Sequence, residues 1–139
     1  MRIPIPAVAV PVIVVLVFVF VPGVREWPWT ATRILGAILA TVGYVLAFVS
    51  RVQLGKSFTV MPEARELVTH GLYSRLRNPI YVFVDLLLVG LILALALHWL
   101  FAVLGVVVAL QTIQAHREAR VLQDRFGQAY VDYRKQTWF

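Results

Sequence analysis

IYVFVDLLLVGLILALALHWLFAVLGVVVAL, the run from Ile80 to Leu110, contains only two strongly polar residues, Asp85 and His98. Its 31 residues exceed the roughly 20 that one helical crossing of a bilayer needs. They fall short of two full straight crossings. A helical hairpin turning near Leu97-His98-Trp99 fits the length. It predicts spans over about 80–97 and 99–115, with the second helix continuing out of the membrane through Gln111 and Glu118. Trp99 then lies at the interface, where indole rings prefer to sit.

Two further apolar stretches precede this run, at about 5–21, where Pro11 predicts a kink, and at about 31–50. The chain is 60% hydrophobic and 14% charged. A soluble domain is less apolar and more charged, and one globular core of 139 residues cannot hide the excess. The run after Arg2, from Ile3 to Val21, is longer than a signal-peptide core and is followed by no small-x-small pattern, so it reads as a retained anchor. The expected fold is all-α and integral to the membrane. A single domain over 1–139 carries about four transmembrane helices and a tail from 116 to 139. With no cysteine, the chain has no disulfide, thiolate metal site or cysteine nucleophile.

The net charge of +6 is distributed by side. In this topology Arg2, Arg51, Lys56, Arg65, Arg75, Arg77, Arg117, Arg120, Arg125, Arg134 and Lys135 share one face, and Arg25 and Arg33 lie on the other. The rich side is expected to be cytoplasmic, with both termini and the 50–79 segment. The basic tail reads as a headgroup-facing surface rather than a nucleic-acid site. The expected location is the inner (plasma) membrane of a bacterium or archaeon.

This topology brings two polar segments to one face. In the first, Leu67-Val68-Thr69-His70-Gly71-Leu72-Tyr73-Ser74-Arg75-Leu76-Arg77-Asn78-Pro79-Ile80-Tyr81, Gly71 permits a sharp turn and Asn78-Pro79 restarts a helix. A helix start exposes backbone amides that suit a ligand carboxylate. Tyr73 and Tyr81 are placed to stack on a nucleoside or hydrogen-bond to it. In the second segment, Glu118 precedes Leu122, Phe126, Gly127, Tyr130 and Tyr133 at helical spacings, with Gly127 as the expected C-cap. Asp85, about one turn into its span, is expected either to pair with Arg77 or to serve a function.

The paired segments resemble the signature of the isoprenylcysteine carboxyl methyltransferase and phospholipid methyltransferase superfamily: Leu-Val-Thr-x-Gly-x-Tyr-x3-Arg-His-Pro-x-Tyr, then, after a helical hairpin, Glu-x7-Phe-Gly-x2-Tyr-x2-Tyr. The matching residues are Leu67, Val68, Thr69, Gly71, Tyr73, Arg77, Pro79, Tyr81, Glu118, Phe126, Gly127, Tyr130 and Tyr133. The resemblance spans about residue 54 to the C-terminus. It implies methyl transfer from S-adenosyl-L-methionine to a lipophilic acceptor that arrives through the bilayer. It also implies a cytoplasm-facing cofactor pocket between the 50–79 loop and the C-terminal tail. The implied cofactor contacts are Arg65, Glu66, Leu67, Val68, Tyr73, Asn78, Pro79, Ile80, Tyr81 and Glu118, with no metal.

Two positions depart from the pattern. Asn78 stands where the family usually has histidine, so a titrating imidazole is replaced by an amide. Gln114 stands where prenylcysteine enzymes carry the arginine that handles the substrate carboxylate. An uncharged amide at this acceptor position points away from a prenylcysteine. Two alternatives are an NADPH-dependent enzyme like the membrane sterol reductases and a small four-helix transporter or assembly protein. The first group has longer chains. The second would need a buried carboxylate, for which Asp85 is the candidate.

Overall fold

A computed structural model describes residues 28–55 and 67–138. The expected first span at about 5–21, and Arg65 and Glu66, lie outside the described residues. The chain divides into two compact units, Met1–Ala31 and Thr32–Phe139. At the start of the second, α1 (Ala31–Leu54) is followed by a 3-10 turn (Gly71–Ser74), α2 (Pro79–Leu95), α3 (Leu100–Phe126) and α4 (Gln128–Gln136). Every regular element described is helical.

α1 and α3 are long and apolar enough to cross a membrane. With 17 residues, α2 is apolar but shorter than the predicted 80–97 span. At 1.5 Å per residue it reaches about 25 Å, against a hydrocarbon core of about 30 Å. It stops because Ala96 turns left-handed (φ 56°), while the Leu97 N–H donates to Ile92 O at 3.1 Å and closes a Schellman-type end. No glycine marks this stop. The hairpin turn falls at 96–99, as expected, and Trp99 beside it is 68% exposed. α3 has 27 residues, about 40 Å, so one helix serves both as an apolar span and as a polar extension.

α1 packs on α2 through small residues. Gly36, Ala40, Gly43 and Ser50 are its buried positions, spaced as one helical face. A Cβ on Gly43 would stand 2.5 Å from Leu87 N, and one on Gly90 would strike the Ala40 backbone nitrogen and lie 2.6 Å from Gly36 O. The two backbones therefore touch, an approach that small residues permit between membrane helices. Ser50, fully buried below this seam, donates its hydroxyl to Leu46 O at 2.7 Å. The opposite face of α1 exposes Ile34, Leu35, Ile38, Val42, Val45 and Phe48, as a lipid-facing stripe should.

α4 ties the C-terminus back to the 71–78 turn. Gly127, at φ 52° and ψ −124°, ends α3 and starts α4 without a linker, in a conformation open to glycine. This redirection brings Tyr130 and Tyr133 to the buried face, their rings 6.2 Å apart. The Tyr133 hydroxyl donates to Tyr73 O at 2.6 Å. The Trp138 N–H donates to Arg75 O at 2.7 Å, and the Arg77 N–H donates to Trp138 O at 3.2 Å. From α1, Gln53 Oε1 accepts the Leu72 N–H at 2.8 Å and lies where any Cβ on Gly71 would fall.

Gly90→Ala should lower stability in detergent by about 1–3 kcal/mol, the usual range for overpacking. Gly105→Ala, where a Cβ meets nothing within 4 Å, should not. Parallel thermal unfolding of the two variants checks this, and equal behaviour would refute the backbone contact. Tyr133→Phe should cost about 1–3 kcal/mol by stranding the Tyr73 carbonyl. Burial, helped by the neighbouring Tyr130, pushes the Tyr133 phenol from its ordinary value of 10 up to about 12. The folded chain thus holds this proton after the unfolded chain has lost it. The stability is present in full below pH 10 and is lost as pH rises through about 12. Alkaline unfolding should be shallower in Tyr133→Phe.

Candidate active site

The polar cluster forms where the start of α2 meets the extension of α3. Pro79 occupies the first turn of α2 and is fully buried, and Asn78 is its N-cap without a side-chain capping bond. Two residues on, the half-buried Tyr81 donates its hydroxyl to Glu118 Oε1 at 2.8 Å, across 37 residues of sequence. Gln114, one turn before Glu118 on α3, donates Nε2 to the same oxygen at 3.2 Å. Both bonds land on Oε1, which leaves Oε2 available to a ligand hydroxyl or cation.

Tyr73 joins this cluster from the 3-10 turn. It is 6% exposed, and its phenol lies near enough to Glu118 and Tyr81 for their charges to act on one another. Burial, then the charges of Tyr133 and Glu118, push its phenol well above the ordinary value, with Arg51 opposing. Tyr73 therefore stays a neutral hydrogen-bonding group at physiological pH. Arg77 lies close enough to Tyr133 to act on its phenol, and its own Nε is buried with no hydrogen-bond partner. A buried guanidinium donor left unmatched is costly, and a ligand carboxylate would satisfy it.

An open groove of about 480 Å³ runs beside the cluster, lined by Tyr81, Leu110, Gln111, Ile113, Gln114 and Arg117. Its volume lies in the range of small-molecule sites, about 300–1,000 Å³. Leu110 and Ile113 make its apolar end, and Arg117 brings a positive charge to the other. The groove can therefore receive an amphipathic molecule with its chain along α3 and its polar group beside Tyr81 and Gln114.

The donor set fits an adenosyl sulfonium amino acid. A carboxylate with a free oxygen suits a ribose or a sulfonium, tyrosines suit a nucleoside, and Arg77 suits a carboxylate. Of the residues expected to bind it, the structure brings Tyr73, Tyr81 and Glu118 together, with Asn78, Pro79 and Ile80 at the adjoining helix start. Leu67 and Val68 are half-buried in the irregular segment leading to the turn. Gln114, expected on the acceptor side, bonds Glu118 and lines the groove. Asp85 and Arg77 each keep a buried polar atom without a partner, so the ion pair considered for them does not form.

Sequence reading missed Gln111 and Arg117 in the groove, Gln53 beneath the turn, and Trp138. The spacing of Gln111, Gln114 and Glu118, at i, i+3 and i+7, would have put Gln111 on the site face of α3. The role of Trp138 is made by backbone groups, which no side-chain pattern announces.

Against this geometry, comparison with known proteins gives one positive finding. The phospholipid methyltransferase family model matches residues 31–129. The match takes in α1, the turn, α2 and α3, and so both halves of the Tyr81–Glu118 cluster. No curated protein and no solved structure matches the chain. The match covers well over half of the sequence, and it agrees with two helices able to cross a membrane. The chain belongs to the phospholipid methyltransferase family, a family of membrane methyltransferases.

Proposed function

We propose that this protein transfers a methyl group from S-adenosyl-L-methionine to a lipophilic acceptor at the cytoplasmic face of the membrane. The cofactor would lie among Arg65, Glu66, Leu67, Val68, Tyr73, Asn78, Pro79, Ile80, Tyr81 and Glu118. The acceptor would reach it along the groove past Gln114. Four membrane spans, including the stretch at about 5–21, with both termini cytoplasmic, complete this reading. The sidedness rests on the eleven-to-two division of basic residues. The observation that supports the proposal best is the 2.8 Å bond between Tyr81 and Glu118, which joins two otherwise separate halves of one family signature.

The bound cofactor supplies an already activated methyl group on a sulfonium. The chain has to position and to exclude water. Glu118 is held by two donors on one oxygen, so its other oxygen points in a fixed direction. A carboxylate there lowers the energy of a nearby positive charge in a half-buried setting. Tyr73, a neutral phenol, donates or accepts a hydrogen bond without repelling that charge. Arg77 holds a carboxylate with its unmatched Nε. The apolar residues Leu110 and Ile113 align an acyl or prenyl chain with α3.

Isothermal titration of S-adenosylhomocysteine into the purified protein in detergent tests the proposal. Wild type should bind saturably. Glu118→Gln and Tyr81→Phe should each weaken binding about tenfold, the worth of one hydrogen bond to a charged group. Undiminished binding in both variants would overturn the site, and binding of NADPH in place of S-adenosylhomocysteine would overturn the reaction class.

A further inference from the structure

Trp138 is 72% exposed, more than any other large apolar side chain among the described residues. Its main chain is nonetheless fixed. The N–H donates to Arg75 O at 2.7 Å and the C=O accepts the Arg77 N–H at 3.2 Å, a parallel bridge centred on Leu76. Thr137 ties the same strand to the end of α4, its hydroxyl donating to Tyr133 O at 3.1 Å. An indole is thus held in one place and left largely bare.

That place is the end of an apolar helix. Leu76 comes three residues before Pro79, the first residue of α2. α2 is about 25 Å long, and Trp99, also exposed, lies just past its other end. Bare indoles therefore mark both ends of a helix of nearly membrane thickness, the two levels where interfacial tryptophans gather. Charge adds to this. Residues 70–78 and 128–138 carry Arg75, Arg77, Arg134 and Lys135 against the single carboxylate of Asp132. Arg75 and Arg134 are exposed and make no ion pair among the described residues. Lys135 pairs with Asp132 at 3.3 Å, an exposed bond worth little in water. Cations flanking an indole at the edge of a bilayer attract anionic headgroups while the ring enters the interface.

We propose that α4 and Trp138 dock on anionic phospholipid of the surrounding membrane, and that this docking holds the 71–78 turn in place. The hydrogen bonds supply the link. Tyr133, on the buried face of α4, donates to Tyr73 O at 2.6 Å, and the Trp138 strand bonds Arg75 and Arg77. A lipid surface that restrains Arg134 and Trp138 therefore also restrains the turn carrying Tyr73. That the turn serves a cofactor rests on the methyltransferase reading, whereas the docking does not.

The test places the full chain in nanodiscs of phosphatidylcholine, alone or mixed with phosphatidylglycerol. The difference in emission between wild type and Trp138→Ser isolates this indole among the chain's four tryptophans, and brominated lipid should quench it. Hydrogen–deuterium exchange over residues 71–78 should slow about fivefold in the anionic discs, the worth of one basic residue at such a surface. Molar salt should remove that difference, as should Arg134→Gln combined with Lys135→Gln. S-adenosylhomocysteine should bind more tightly in the anionic discs. An indole that brominated lipid leaves unquenched, equal exchange in the two discs, or a difference that survives both salt and the double substitution would overturn the proposal. S-adenosylhomocysteine bound equally well in both discs would overturn the coupling to the site. If exchange slows as expected but S-adenosylhomocysteine binds in neither disc, the methyltransferase reading falls and the lipid anchor stands.

Discussion

The hydrogen bond from the Tyr81 hydroxyl to the Glu118 carboxylate joins the first turn of α2 to the polar extension of α3. Each partner reaches that position for a reason of its own. Tyr81 is fixed by the proline-started helix and by the seam that presses α2 against α1. Glu118 is fixed because α3 runs for 27 residues and continues past its apolar part as a polar extension. Without the hairpin turn at 96–99, the two residues would not meet.

The packing that secures this contact is unusually dependent on what is absent. Gly36, Gly43 and Gly90 have no side chain at points where backbone atoms occupy the space. In lipid, where burying apolar surface gives little net drive, such close approach substitutes van der Waals contact and weak polar attraction for the hydrophobic effect. At the other end of the site, backbone bonds from Trp138 and the Tyr133 hydroxyl hold the turn carrying Tyr73. The site is therefore supported from below by α1 and from the C-terminus by α4.

Much of this was legible in the residues. The 31-residue apolar run gave the hairpin and its turn, because length against membrane thickness leaves few solutions. Gly127 read correctly as a helix end, and the two halves of the family signature placed Tyr81 and Glu118 at one site, though not the bond between them. The end of α2 was misplaced by two residues because Ala96, rather than glycine, adopts the left-handed conformation. The α1–α2 seam escaped notice because Gly36, Ala40 and Gly43 stand in an apolar run where composition hides spacing. The pairing expected of Asp85 and Arg77 is not made. Asp85 Oδ1 is buried with no hydrogen-bond partner, while Arg77 lies beside Tyr133 of α4. The anchoring of Trp138 depends on main-chain groups, so its identity carried no signal.

One geometric requirement underlies the functional account: a single adenosyl sulfonium must touch the turn before α2 and the extension of α3 together. Ultraviolet crosslinking of radiolabelled S-adenosyl-L-methionine to the protein in its membrane, followed by peptide mapping, measures that contact. The account predicts label on peptides from both the 73–81 and the 117–122 regions, displaced by S-adenosylhomocysteine. Label confined to one of them, or found only elsewhere in the chain, would contradict it.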